Sequence, residues 1–87
     1  MDRIYFDENA GVEHGRHDLG ISGSRRDLER LGSKLSNGLH VMLYDGQEIE
    51  VEAVLEFDQV SNRWMALPLW NTVQRISDQA WRNMRSA

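Results

Sequence analysis

The chain has 87 residues, no cysteine and a formal net charge of −4 at pH 7. That length predicts one small domain spanning residues 1–87, and the lack of cysteine excludes disulfides and thiolate metal sites. The longest apolar run, WMALPLW, is too short to cross a bilayer. The charged N-terminus lacks the apolar stretch of a signal peptide. These features predict a cytoplasmic protein without a membrane span.

The charges are distributed unevenly along the chain. Residues 39–58 contain six acidic side chains and no lysine or arginine, whereas residues 59–87 contain four arginines and one acid. An acidic middle and a basic tail are therefore joined in one chain. Either an internal contact or a partner could balance them.

Two short strands are the first elements that the sequence predicts. Apolar and polar residues alternate over 3–7 and again over 18–22, which is the pattern of a half-buried strand. The stretch between them, DENAGVEHGRHD, is rich in charges and turn-forming residues. Most of it is therefore predicted to be a loop.

Residues 24–38 have the pattern of an amphipathic helix. Ser24 is the predicted N-cap and Gly38 the predicted C-terminal stop. The apolar stripe at helical spacing consists of Leu28, Leu31 and Leu35. The opposite face presents Arg26, Arg30 and Lys34. This basic face is either solvated, as polar helix faces are, or a ridge that contacts phosphates or an acidic partner.

A hairpin around Asp45 and Gly46 follows the helix. A three-residue loop over 44–46 would place Gly46 in the left-handed position where glycine is favoured. That loop pairs Val41 with Ile49 and keeps apolar residues together on one face. The sequence therefore predicts antiparallel strands over 39–45 and 47–58.

The next turn, residues 59–62, fixes a third strand over 63–67. It places Phe57 opposite Trp64, Leu55 opposite Ala66 and the oppositely charged Asp58 and Arg63 side by side. The predicted core face of these three strands contains Leu39, Val41, Leu43, Ile49, Val51, Leu55, Phe57 and Trp64. The leucine stripe of the helix is its predicted cover.

The other face of this sheet carries a row of carboxylates on alternate residues of one strand. Val54 interrupts the row and lies beside Leu67, so the face is an apolar patch fringed with acids. Such a face can serve solubility, or it can recruit a basic partner. The candidate partner-binding residues are Tyr44, Glu48, Glu50, Glu52, Val54, Glu56 and Met65.

The tail is predicted to form a second amphipathic helix. Asn71 is its predicted N-cap, and the apolar spacing is that of Val73, Ile76, Ala80 and Met84. This helix could lie over the acidic face, or it could be offered to a partner.

Signals for catalysis or cofactor binding are sparse. His14 and His17 could supply metal ligands, but Gly15 argues against the helix that would bring them to one ion, and a third ligand such as His40 would have to come from elsewhere. The evenly spaced carboxylates have similar surroundings, whereas acid–base catalysis needs surroundings that move two pKa values apart. The sequence therefore predicts no enzyme, no cofactor and no metal site.

The predicted fold class is α+β, in the order β-β-α-β-β-β-α. It comprises an antiparallel β-meander, one helix on its core face and a C-terminal amphipathic helix. The predicted function is a small acidic protein–protein interaction module, of which an inhibitor or immunity-type protein is one form. The alternatives are a nucleic-acid-associated accessory protein that uses Arg26, Arg30, Lys34 and the basic tail, and a subunit of a larger enzyme.

Overall fold

The described residues form a mixed seven-stranded sheet and one α-helix. The computed structural model describes residues 1–46 and 48–75. In chain order the elements are β1 (Arg3–Tyr5), β2 (Val12–Glu13), β3 (Arg16–Asp18), α1 (Ser22–Leu31), β4 (His40–Tyr44), β5 (Ile49–Asp58), β6 (Arg63–Pro68) and β7 (Gln74–Arg75). Short 3-10 helices occupy Gly32–Lys34 and Trp70–Thr72. The predicted α+β class is confirmed.

The strands lie in the order β1-β4-β5-β6-β3-β2, and β7 pairs with the start of β5. The predicted meander, β4-β5-β6, is confirmed as the antiparallel centre of the sheet. The pairing of the first strand, which the sequence left unassigned, is parallel: β1 lies beside β4, with Ile4 opposite Leu43. The crossover between these two parallel strands contains α1, since parallel neighbours need a long connection.

The predicted second strand, residues 18–22, is wrong. The chain forms a hairpin earlier, with Glu13 opposite Arg16 in β2 and β3. His14 and Gly15 are the two loop residues, and both have positive φ, at 55° and 77°. A two-residue hairpin loop with positive φ at both positions is a favoured connection, so this part of the predicted loop is instead two paired strands.

The helix lies earlier in the chain than predicted. Ile21 occupies the N-cap position, and Gly32, at φ 54°, ends α1 well before Gly38. Ser24 is therefore no cap, and its hydroxyl donates a hydrogen bond to the backbone carbonyl of Tyr5. The prediction that the helix covers the core face is confirmed, because Leu28 and Leu31 of α1 belong to the buried cluster.

The predicted register of the first hairpin is wrong, although the assignment of faces is kept. Val41 lies opposite Ala53 and not Ile49, and Leu43 lies opposite Val51. The loop is longer because one oxygen of Asp45, Oδ1, accepts hydrogen bonds from the backbone N–H groups of Glu48 and Ile49, at 2.9 and 3.1 Å. The shift is by an even number of residues, so apolar side chains still share one face.

The register of β5 with β6 is confirmed. Phe57 lies opposite Trp64, Leu55 opposite Ala66, and Asp58 opposite Arg63. The two aromatic rings meet edge to face with centroids 5.2 Å apart. The buried cluster between α1 and the sheet consists of Ile4, Phe6, Leu19, Leu28, Leu31, Val41, Leu43, Val51, Ala53, Leu55 and Ala66.

The tail does not begin the helix that was predicted from Asn71. Residues Trp70–Thr72 form a 3-10 helix, and β7 then pairs with β5, with Arg75 opposite Ile49. Thr72 fixes this path, because its hydroxyl accepts from the backbone N–H of Glu52 at 2.9 Å and donates to the carbonyl of Leu69 at 2.7 Å. The rest of the predicted tail helix lies outside the described residues.

In residues 1–46 and 48–75, no helix combines the length and the apolar character that crossing a membrane requires.

Candidate functional site

The sheet face away from the buried cluster contains most of the predicted partner-binding residues, and it is called the outer face below. Even-numbered residues of β4 and β5 lie on it, together with odd-numbered residues of β6. Met42 lies opposite Glu52, and Val54 lies between His40 and Leu67. The outer face is defined by His40, Met42, Tyr44, Glu50, Glu52, Val54, Glu56, Met65 and Leu67.

The carboxylate row of β5 is paired with arginines from the two strands that lie two places away from β5 in the sheet. Glu50 meets the guanidinium of Arg3 in β1 at 2.7 Å. Glu56 meets Arg16 of β3 at 3.5 Å, and the same arginine lies 3.8 Å from Asp58. Arg3 and Arg16 were not among the predicted site residues, because the short strands that carry them pair with the sheet over long sequence separations.

Two further contacts stabilise carboxylates of this row. Nδ1 of His40 lies 3.0 Å from a carboxylate oxygen of Glu52, which is an ion pair whenever the imidazole is protonated. A hydrogen bond from the Ser61 hydroxyl holds the pKa of Asp58 below its ordinary value. Glu48 stands apart from the row, exposed in the β4–β5 loop, with its backbone N–H held by Asp45.

An apolar strip runs across the middle of the outer face. Met42, Val54 and Leu67 are each half-buried and lie on three adjacent strands. Met65, which lies on the same face opposite Glu56, is only 3% exposed, so it presents almost no surface to a partner. The arrangement is a half-buried apolar centre with ion pairs at both ends.

Tyr44 stands at the edge of the outer face, where three elements meet. Its hydroxyl donates to the Asp27 carboxylate of α1 at 2.9 Å, and the Arg3 guanidinium lies 4.9 Å from its ring centroid. The Tyr5 ring packs against it edge to face at 5.8 Å. The hydrogen bond to Asp27 and burial raise the pKa of Tyr44 above its ordinary value.

The predicted basic ridge is divided between two elements. Arg26 and Arg30 lie on α1 and line a 260 Å³ cleft together with Tyr5 and Tyr44. Lys34 belongs to the separate 3-10 helix that follows Gly32, so helical spacing does not align it with the two arginines. Arg30 also lies 3.6 Å from the Asp27 carboxylate, which compensates part of its charge.

The two histidines considered as metal ligands lie in different surroundings. His14 is an exposed residue of the β2–β3 loop, whereas His17 is buried beside the Phe6 ring, with centroids 5.4 Å apart. His40 is engaged with Glu52 on the outer face. The described part of the chain contains no group of three His, Cys, Asp or Glu side chains that could hold a metal ion.

Comparisons with protein-family models, with curated proteins and with solved structures find no match for this chain. A functional interpretation therefore depends on the geometry of its own residues.

Proposed function

We propose that this protein is a non-enzymatic protein–protein interaction module that binds its partner through the outer face. The observation that carries the proposal is the half-buried strip of Met42, Val54 and Leu67 with ion pairs at both ends. Protein interfaces combine an apolar centre with a polar rim in this way. No helix in residues 1–46 and 48–75 covers this strip, whereas α1 covers the opposite face.

The charge of the outer face favours a partner with a basic surface. Three carboxylates of the outer face, those of Glu50, Glu52 and Glu56, stand against Arg3 and Arg16. With the exposed Glu48 beside this face, four negative charges against two positive charges leave a formal excess of two negative charges when His40 is neutral. Such an excess accelerates encounter with a positively charged surface. An inhibitor or immunity-type protein that neutralises a basic effector is one form of this function.

A photo-cross-linking side chain at position 54 tests the location of the interface in the native cell. The matched control carries the same group at Val60, which is 97% exposed in the β5–β6 loop. We expect a discrete cross-linked partner from position 54 and none from position 60. Equal cross-linking from both positions would place the interface elsewhere.

Affinity measurements with the purified pair then test the apolar centre. Val54→Arg puts a charge in the middle of the strip, and we expect it to weaken binding about tenfold or more. Amide NMR spectra establish that the fold is retained. An unchanged dissociation constant for a folded Val54→Arg variant would reject the outer face as the interface.

Association rates test the acidic rim separately. Glu48→Lys should slow association at low salt, and the effect should fade as salt rises, because exposed rim charges act through screened long-range attraction. Glu29→Lys, on the exposed side of α1, is the matched control. Equal slowing by the two variants would show a response to net charge and not to this rim.

The alternative function, a nucleic-acid-associated accessory protein, has support from one observation. Arg26 and Arg30 stand at a cleft walled by Tyr5 and Tyr44, which places cations beside aromatic rings. A nucleic-acid binder loses affinity linearly in log salt, with a slope set by its phosphate contacts. Replacing both arginines by alanine should reduce that slope, whereas Val54→Arg should not.

A further inference from the structure

A groove opens on the core side of the sheet, between α1 and the start of β6. It contains a cavity of 450 Å³ whose apolar lining includes Leu19, Leu28 and Trp64. A second cavity of 210 Å³ shares Leu28 and Trp64 and continues the groove to Leu35. The groove therefore gives access to the edge of the buried cluster, on the opposite side of the sheet from the outer face.

The early end of α1 explains why this groove exists. The α-helix ends at its C-cap, Gly32, and the chain continues as a short 3-10 helix. The α-helix therefore does not extend over the surface beside Leu28 and Leu35. Trp64 in this groove is half-buried, and its ring meets that of Phe57 edge to face. An apolar surface inside a concave site is the usual setting for a small ligand.

The charged groups that line the 450 Å³ cavity, namely Asp18, Arg25 and Arg63, do not balance. Asp18 accepts a hydrogen bond from the Arg63 guanidinium at 2.6 Å and another from the backbone N–H of Gly20 at 2.7 Å, so the charge of Arg63 is compensated. Arg25 also lines both cavities, and the salt bridges of the described residues include none from it. The larger cavity thus combines an apolar floor with one exposed cation, whereas the exposed Glu29, one helical turn from Arg25, lines only the smaller cavity.

We propose that this groove binds a small carboxylic acid, with its apolar group over Leu28 and Trp64 and its carboxylate on Arg25. A guanidinium can hold both oxygens of a carboxylate through two parallel hydrogen bonds. The 450 Å³ cavity falls within the range of about 300–1,000 Å³ that is usual for small-ligand sites. This site is separate from the outer face and does not depend on the proposed interaction function.

Phenylacetate and its neutral amide, phenylacetamide, are matched probes for the site. Titration of the ¹⁵N-labelled protein, followed by NMR, should move the amide signals of Gly20 and Leu28 and the indole signal of Trp64. We expect phenylacetate to bind about tenfold more tightly than the amide, because only the acid engages the guanidinium. Arg25→Gln should remove that preference. Arg26→Gln, the adjacent arginine, which lines the other cleft, should keep it.

Three results would overturn the proposal. The first is the absence of binding by phenylacetate up to about 10 mM. The second is equal binding of acid and amide to the unaltered protein, and the third is a preference for the acid that survives Arg25→Gln. Val54→Arg should leave phenylacetate binding unchanged, so failure of this site and failure of the outer-face interface are distinguished by the same set of variants.

Discussion

The carboxylate of Asp27 in α1 accepts a hydrogen bond from the hydroxyl of Tyr44 in β4, at 2.9 Å. The same oxygen accepts from the backbone N–H of Tyr5 at 2.8 Å, and the hydroxyl of Ser24 donates to the carbonyl of Tyr5. Tyr5 belongs to β1, the edge strand of the sheet. Ser24 and Asp27, one helical turn apart, thus satisfy the backbone N–H and C=O groups of Tyr5 that point away from the sheet. This limits pairing of β1 with another chain at that residue.

Asp27→Ala should lower the free energy of unfolding by about 2–3 kcal/mol, because it leaves the Tyr5 N–H and the Tyr44 hydroxyl without their acceptor. Urea unfolding followed by circular dichroism measures this loss. Glu29→Ala, on the exposed side of the same helix, is the control and should change stability by about 0.5 kcal/mol or less. Similar losses for the two variants would mean that the edge contacts of Asp27 contribute little.

The pKa of the Tyr44 phenol should lie above its ordinary value of 10.0, because ionisation removes the hydrogen bond to Asp27 and puts a second negative charge beside that carboxylate. The chain has two tyrosines, so a Tyr5→Phe variant isolates the Tyr44 signal in an ultraviolet absorbance titration. Asp27→Asn in that background should lower the midpoint. A midpoint that does not move would show that Asp27 is not the main cause of the raised pKa.

The raised pKa of Tyr44 also predicts how the free energy of unfolding changes at alkaline pH. The folded state holds the phenolic proton more tightly than the unfolded state, so this contribution is complete below pH 10.0 and is lost as pH rises through the folded pKa. Unfolding free energies measured across that alkaline range should fall more steeply for the unaltered protein than for Tyr44→Phe. Equal slopes would contradict this linkage.

Gly23→Ala should destabilise the protein although alanine is the better helix former. A Cβ at position 23 would lie 2.8 Å from Cδ2 of the Tyr5 ring. Overpacking of this kind costs about 1–3 kcal/mol, whereas the gain in helix propensity is at most about 1 kcal/mol. If the full propensity gain is realised, the net loss should reach about 2 kcal/mol, measured by urea unfolding.

Gly11→Ala is the matched control for that variant. A Cβ at position 11 would have nothing within 4 Å, so we expect a change of about 0.5 kcal/mol or less. If Gly23→Ala proved neutral or stabilising, the Tyr5 ring must be able to move away from α1 at little cost.

The parts of the fold that local patterns determine could be predicted. Alternation in β5 and the pair Phe57 and Trp64 fixed both faces of the sheet and the register with β6. The register with β4 could not be predicted, because it depends on which backbone groups the Asp45 side chain accepts from. The parallel pairing of β1 with β4 could not be predicted either, because three-residue strands carry almost no local signal of direction.

In the candidate site, too, the features set by local patterns could be predicted and those set by long-range contacts could not. The carboxylates of Glu50, Glu52 and Glu56 were placed correctly on one face, because their spacing matches the period of a strand, whereas Glu48 lies in the loop before β5. Their partners Arg3 and Arg16 were missed, since each reaches β5 from a strand distant in sequence. The contact of Asp27 with Tyr44 has no signal in the local sequence, because it depends on α1 crossing the edge of the sheet.

His17 is a buried titratable group with no hydrogen-bond partner for Nδ1 among the described residues. It is 6% exposed, between the rings of Phe6 and Trp70, whose centroids lie 5.4 and 6.0 Å away. Burial lowers the pKa of His17 below its ordinary value of 6.5, and the carboxylate of Glu8 opposes that shift. The folded state therefore takes up a proton at this site less readily than the unfolded state.

Acidification should consequently destabilise the protein through His17. Below pH 6.5 the unfolded chain binds this proton first, so the free energy of unfolding falls as pH decreases and levels off only below the lowered folded pKa. Urea unfolding at about pH 7.5 and about pH 5.5 measures the loss, and His17→Leu should make it smaller. His14→Gln, whose imidazole is 82% exposed, is the control and should leave the loss unchanged. If His17→Leu has the same pH dependence as the unaltered protein, the acid sensitivity arises at other groups.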